Sequence, residues 1–365
     1  MINIIIDLNI VAENYRYLKT LTNSKVGAVI KYDAYGFGAT KISKILYHKC
    51  ACNDFFTFNI DEAIKIRNVL EENNVNIYSF LGPYSEEECL QCYNYNIIPI
   101  LNNLYQITQW QKFHTQFPKR MTCILNVDSG MNRLGINSKE WQNLINSNII
   151  KDLKVKYIMS HLSCSEDKNH QYNQIQLENF HQYINSWPYK NTKASLAASS
   201  AILNLSSKFH FDLVRPGIAL YEDPLEKYEN IKSPITVTTT IVGINKISRK
   251  SSVGYKRTYY AQKGDIIATV PFGYADSHFR ASDRNGIVLI ENYQAKIIGQ
   301  ISMDLITIDV SHIPGNIIFI GQTVKILCDK LPLSKIAKAS NIKTYELLVN
   351  LLSKSRSKKQ YINAE

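Results

Sequence analysis

From about residue 21 to residue 221, short apolar runs alternate with longer stretches whose apolar positions recur every three or four residues. The short runs suit strands buried on both faces, and the longer ones suit amphipathic helices. The pattern predicts strands over 26–30, 55–58, 77–80, 97–100, 122–127, 155–159, 196–198 and 213–214. It predicts helices over 39–48, 61–72, 85–94, 104–115, 138–146 and 173–186, with Asp61 near the start of the second and Ser138 as the cap of the fifth. Eight strands in this rhythm predict a closed (β/α)8 barrel.

Past residue 223 the rhythm changes. Runs at 235–242, 266–270, 286–291, 295–301, 306–310 and 323–327 are β-rich, are separated by Gly, Pro, Asn and Asp, and have no helices between them. They predict a mainly antiparallel β domain closed by one helix over 335–352, with Ile336, Ala339, Ile342, Leu347, Val349 and Leu351 as core positions. The fold class is therefore α/β: a TIM-type barrel followed by a β domain.

Composition supports a folded chain, since 45% of the 365 residues are hydrophobic and 20% charged. No run reaches the roughly 20 apolar residues of a spanning helix, and Asp7 interrupts an opening segment with no basic region before it. The expectation is a cytoplasmic protein without signal peptide or membrane segment. The net charge of +11 raises nucleic acid as a partner. The basic residues are scattered except at Lys354, Arg356, Lys358 and Lys359, and no basic stripe is interleaved with aromatics, so no nucleic-acid role is expected. The seven cysteines are odd in number and irregularly spaced, as reduced thiols are. Cys89-x-x-Cys92 lies in a helical stretch without a second pair, which makes it structural, and no metal is expected.

Barrel chemistry gathers where strands end. Lys31 directly follows the first strand, where burial lowers a lysine's pKa and frees it as a nucleophile. At other predicted strand ends stand Asp128 to Gly135 with Arg133, Ser160-His161, Ser199-Ser200, and Arg215-Pro-Gly217. Ser200 and Gly217 follow the seventh and eighth strands, where barrels bind phosphate through N–H groups and a hydroxyl. A lysine, two arginines, a histidine and a phosphate cup together point to pyridoxal 5'-phosphate. Alone, each has a plainer reading: a helix cap for Ser200, a core histidine for His161, a surface ion pair for Arg133.

These stretches resemble the alanine racemase family. Val29-Ile-Lys31-Tyr-Asp-Ala-Tyr35-Gly36-Phe-Gly38 is similar to its cofactor-attachment stretch. The likeness continues through Val127 to Gly135, Ser160-His161 and Arg215-Pro-Gly217, then through Val253 to Tyr259, Pro271 to Asp276 and Gly299 to Asp304. The resemblance implies an isomerase that interconverts L-alanine and D-alanine in two-base fashion, supplying D-alanine for peptidoglycan. Lys31 would carry the cofactor and serve as one base, and Tyr255 as the other. A phenol's usual pKa of about 10 calls for help from neighbours, which the family places at His161 and Arg215. Arg215 would face the pyridine nitrogen. Arg133 would hold the cofactor's phenolic oxygen and the substrate carboxylate, with Met303 and Asp304 helping at the carboxylate. Tyr35, Ser200, Gly217 and Ile218 would hold the phosphate, and Tyr274 would narrow the entrance. The resemblance also implies a homodimer whose sites lie at the interface. Residues 1–9 would form a first strand pairing with the second domain, 10–228 the cofactor-binding barrel, and 229–365 the β domain with its terminal helix.

The chain departs from the family at two places. Asn126 stands where many members have a lysine, and its amide or an anion beside it is expected to substitute. Ser353 stands near the position of a tyrosine that some members use for the phosphate. Three other readings compete: a serine, lysine or broad-specificity racemase of the same fold, a decarboxylase of basic amino acids, and a non-catalytic pyridoxal phosphate-binding protein. Arg215 argues against the decarboxylase, and Tyr255 against the carrier.

Overall fold

In the computed structural model, which describes residues 2–70, 74–114, 116, 122–276, 286–340, 342–353 and 358–363, the chain opens with β1 (Asn3–Asp7) and α1 (Leu8–Thr20). Then come β2 (Lys25–Val26), β3 (Ala28–Val29), α2 (Lys31–Tyr35), α3 (Ala39–Cys50), β4 (Asp54–Thr57) and α4 (Ile60–Arg67). They are followed by β5 (Asn76–Ser79), α5 (Glu86–Asn94), β6 (Ile97–Leu101), α6 (Leu104–His114), β7 (Thr122–Asn126), α7 (Ser138–Ile145) and β8 (Lys154–Met159). The series ends with α8 (Tyr172–Ser186), β9 (Lys193–Ser195), α9 (Ser199–Asn204) and β10 (Leu213–Val214).

Strands β3 to β9 form one parallel sheet in sequence order, and β10 pairs in parallel with β2. The ring closes through main-chain bonds. Gly27 N donates to Val214 O at 2.9 Å, Asp212 N to Ala194 O at 3.0 Å and Arg215 N to Ala197 O at 2.9 Å. Because β2 and β3 are one run broken at Gly27, the result is the expected eight-stranded (β/α)8 barrel. A side chain at Gly27 would meet the Phe56 ring at 2.8 Å. Val29, Phe56, Tyr78, Ile98, Ile100, Ile124, Tyr157, Met159 and Leu213 pack together as a buried cluster, so this barrel is a core and not a pore.

Several elements differ from expectation in instructive ways. The seventh strand pairs at Lys193–Ser195, because the buried run from Leu196 to Ala197 already belongs to the turn into α9. Helix α4 stops at Arg67, whose guanidinium satisfies the carbonyls of Val75, Tyr95 and Asn96; Glu72, and likewise Thr115 at the end of α6, lie outside the described residues. Helix α7 is capped by Asn137 and not Ser138: Asn137 Oδ1 accepts from Glu140 N at 3.0 Å, while Glu140 Oε2 accepts from Asn137 N at 3.1 Å. Cys89 and Cys92 are buried on α5, and burial pushes the Cys89 thiol up to about 12 and Cys92 up as well.

The other compact unit comprises Met1–Ile10 with Lys232–Glu365. Its strands are β1, β11 (Ile235–Thr240), β12 (Gly243–Lys246), β13 (Ser251–Val253), β14 (Tyr259–Ala261), β15 (Ile266–Val270), β16 (Ile287–Ile290), β17 (Tyr293–Ile298), β18 (Ile306–Asp309), β19 (Thr323–Leu327) and β20 (Lys358–Ile362). Nine of them form one sheet in the order β12-β15-β18-β17-β16-β19-β11-β1-β20, and β13 pairs with β14. All neighbours are antiparallel except β1 with β20. β1 sits between β11 and β20, with Ile4 and Ile6 fully buried. The single terminal helix expected is two, α10 (Leu333–Ser340) and α11 (Thr344–Leu352). Lys343 is extended between them, and Ile342 N reaches back to Ala337 O. Ile336, Leu347 and Leu351 are buried there, while Ile342 and Val349 are half-buried. In the basic tail Lys358 and Lys359 open β20, and Lys354 and Arg356 lie outside the described residues. Among the described residues no helix is long and apolar enough to cross a membrane.

Candidate active site

At the carboxyl ends of the barrel strands, the unit Val11–Ile231 gathers Lys31, Tyr35, Arg133, His161, Arg215 and Gly217. Lys31 leaves β3 after Ile30, whose N–H is held by Phe56 O at 2.8 Å. Its ammonium lies 5.9 Å from the centroid of the Phe80 ring. Burial, helped by the Arg133 charge, lowers the Lys31 pKa, and Glu62 opposes the shift. The next four residues, Tyr32 to Tyr35, all have φ between 52° and 58°, a left-handed turn that carries Tyr35 back over the strand end. Two bonds brace that turn: Asp33 Oδ1 accepts from Ala39 N at 2.8 Å, and the N–H of Gly36, at φ 92°, donates to Tyr32 O at 3.0 Å.

The Tyr35 hydroxyl reaches Gly217, where any Cβ would collide with it. Beside it the Ser199 hydroxyl accepts from Gly217 N at 2.9 Å and from Ala219 N at 3.2 Å. The hydroxyl bonded to the Gly217 amide is thus that of Ser199, which is buried, while its neighbour Ser200 is half-buried. Ile218 begins the short helical turn Ile218–Leu220 next to it.

Arg215 is buried, and its guanidinium donates to Ser160 O at 2.7 Å, to Leu196 O at 3.3 Å and to the Ser195 hydroxyl. Burial pulls its pKa down to about 9, which leaves it protonated at neutral pH. His161 is pushed down to about 3 by burial, then by Arg215, Arg133 and Lys31, so its imidazole is neutral. Arg133 is exposed on a loop built by Asp128, whose Oδ1 accepts from Gly130, Met131 and Asn132 N–H groups at 2.8–3.1 Å. Asn126 braces the same loop through its own amide. Its Nδ2 donates to Leu134 O at 3.1 Å and to Asn102 Oδ1 at 2.9 Å.

The remaining sequence candidates belong to the other unit, where they form a group of their own. Tyr255, 69% exposed, follows Gly254 at φ 70°. Tyr274 N donates to Ser302 O at 3.1 Å and Ala275 N to Met303 O at 3.0 Å, so the loop of Tyr274 lies against that of Met303 and Asp304. Gly273 has no space for a side chain there, since a Cβ would strike the Met303 carbonyl. At Gly299, with φ 70°, an added Cβ would stand 2.9 Å from Val253 O, so the start of that loop lies against the residues that precede Tyr255. Ser353 ends α11, where its hydroxyl donates to Asn350 O at 3.3 Å.

Sequence reasoning passed over three participants. Ser199 stands one position from Ser200, Ser195 just before the strand expected over 196–198, and Glu62 in the first turn of α4. Only the first carried a signal, the adjacent hydroxyls themselves.

Lys31, Arg133 and Arg215 crowd one strand-end region, with Glu62 as the acid felt by Lys31. Such an excess of cations beside a cup of N–H groups and hydroxyls suits an anion with a phosphate at one end and an aldehyde for the lysine at the other. The barrel and this donor set define a class, that of barrel enzymes which anchor a phosphorylated cofactor on a strand-end lysine. Residues 6–224 match the family model described as "Alanine racemase, N-terminal domain" and residues 234–361 that described as "Alanine racemase, C-terminal domain". An alanine racemase of Rickettsia africae is 39% identical over 98% of both chains, and one of Rickettsia bellii 41% identical over 90% of this chain and 80% of its own. The crystal structure of alanine racemase from Bartonella henselae, with covalently bound pyridoxal phosphate, superposes with a TM-score of 0.90 at 35% identity, covering 99% of each chain. The chain belongs to the alanine racemase family.

Proposed function

We propose that this protein interconverts L-alanine and D-alanine with pyridoxal 5'-phosphate, and that Lys31 and Tyr255 are the two bases. The observation that carries the reading is the half-buried, cation-surrounded Lys31 beside the Ser199, Tyr35 and Gly217 cup, in a chain that matches both alanine racemase domains. When bound, the cofactor supplies an electron sink for the charge left when the Cα proton departs.

The chain's own residues do the rest. Lys31 would hold the cofactor and serve as one base, and its lowered pKa leaves more of it unprotonated near neutral pH. Tyr255 moves the proton on the opposite face, since inversion needs one acid/base group per side. Tyr35, Ser200, Gly217 and Ile218 would bind the phosphate, and Ser199 braces their cup by accepting from Gly217 N and Ala219 N. Arg215 would present a fixed positive charge to the cofactor's ring nitrogen and keep a proton off it, while neutral His161 can accept or donate a hydrogen bond without adding charge. Arg133, held through the Asn126 amide, binds the substrate carboxylate together with Met303 and Asp304, and Tyr274 narrows the entrance.

Tyr255 is carried by a different compact unit from Lys31 and is highly exposed there, which supports a homodimer in which Tyr255 of the partner subunit completes each site. D-Alanine made in the cytoplasm would serve peptidoglycan. The test is spectroscopic and chiral together. The holoenzyme should show the visible absorbance of lysine-bound pyridoxal phosphate and interconvert L- and D-alanine, and Lys31→Ala should lose both. The band without interconversion would overturn the substrate, and no band after incubation with the cofactor would overturn the reading.

A further inference from the structure

The first four left-handed residues after Lys31 form an improbable piece of backbone. Tyr32, Asp33, Ala34 and Tyr35 have φ of 53°, 52°, 54° and 58°, and none is a glycine. Each such residue crowds its Cβ against the backbone, so the turn persists only where its surroundings over-determine it. The bonds of Asp33 and Gly36 hold its far end. At the near end, the amide directly after Lys31 is held from outside the turn: Tyr32 N donates to Glu62 Oε1 at 2.8 Å. The second oxygen of the same carboxylate, Oε2, accepts from Phe58 N at 2.8 Å, just past β4. Glu62 itself is fixed at the first turn of α4, where its own N–H donates to Asn59 Oδ1 at 2.9 Å. The Tyr32 ring stacks on Phe58 at 5.1 Å between centroids, which closes the same junction from the side. One carboxylate thus spans the ends of two neighbouring barrel strands.

We propose that Glu62 is the positioning residue for Lys31: its carboxylate clamps the amide that follows the lysine to the end of β4 and so fixes where the Lys31 amine sits. This rests on the assignment of Lys31 as cofactor anchor and base. A glutamate fits this clamp and a glutamine does not, because both main-chain partners are donors and an amide has one accepting atom and one donating atom. Glu62 also supplies the negative charge felt by Lys31. The charged groups acting on the amine are Arg133, from the loop after β7, which lowers its proton affinity, and Glu62, from α4, which raises it, while the titratable His161, after β8, is neutral.

The test uses Glu62→Gln and Glu62→Asp in the full chain. Freed of cofactor, each protein is reductively methylated with formaldehyde and cyanoborohydride across a pH series, and the modification of Lys31 is read by peptide mass. The half-point for Lys31 should fall by at least about half a pH unit in E62Q, since a favourable charge is gone, and stay near the parent in E62D. With cofactor restored, kcat for alanine should drop about tenfold or more in E62Q at nearly unchanged KM, as expected when a proton-transferring group is misplaced. A parental half-point together with parental kcat in E62Q overturns the proposal. Should E62Q fail to fold, E62D decides, because its carboxylate is too short for both amides: reduced kcat at a parental half-point supports the clamp, and parental kcat overturns it. A parent chain without alanine racemisation would sink the assigned reaction, while the methylation half-points would still judge the clamp.

Discussion

His161 shows at the residue scale how a tertiary environment rewrites an ordinary side chain. Its ordinary pKa of 6.5 falls to about 3 because it is buried first, and because Arg215, Arg133 and Lys31 surround it second. The unfolded chain therefore binds a proton at this position between about pH 6.5 and pH 3 that the folded chain refuses. Stability must rise with pH through that window and fall on acidification. Cofactor-free His161→Gln should lose less melting temperature between pH 7 and pH 5 than the parent; equal losses would show that His161 is charged in the folded state. The residue identities were legible in the sequence, because Lys31, Arg133, His161 and Arg215 each follow an apolar strand. Which hydroxyl faces Gly217 was not legible: Ser199 and Ser200 are neighbours, and a shift of one residue along the start of a helix turns a side chain by about 100°.

At the scale of elements, the barrel's alternation could be read directly, whereas its boundaries depended on caps. Asn137 and Glu140 satisfy each other's main-chain donors at the start of α7, and the sequence offered Ser138 as an equally good capping type. Asn137→Ala should cost about 1 kcal/mol in urea unfolding and Ser138→Ala much less, and the reverse order would assign the cap to Ser138. The left-handed turn at Tyr32 to Tyr35 is the opposite case. Local propensity argues against it, so beyond the bond of its own Asp33 its support resides in Glu62 and Gly217, which lie far along the chain. The short strands β12, β13, β14 and β20 escaped notice for a related reason. Several of their positions are polar and exposed, and pairing partners define them more than any apolar alternation does.

At the scale of the whole molecule, the candidate residues fall into two groups on two units, with Lys31 in one and Tyr255 in the other. If each site draws Tyr255 from the partner subunit, two inactive variants should rescue one another. Mixing Lys31→Ala with Tyr255→Phe under conditions that exchange subunits should restore about a quarter of parental activity, since half the dimers are mixed and each holds one intact site. No recovery, with exchange verified, would mean that each chain completes its own site.

The sequence by itself determined the barrel and the β unit, because the spacing of apolar residues sets which faces must be buried, and it marked the strand ends where chemistry collects. It could not decide which atoms meet there. The collision that keeps Gly217 bare, the amide of Asn126 on Asn102 Oδ1, the neutral oxygens around Arg215 and the clamp of Glu62 all join residues far apart in the chain. Such contacts exist only once closure of the barrel brings the ends of its strands together, and the same closure removes the water that would otherwise keep Lys31 and His161 at their ordinary proton affinities.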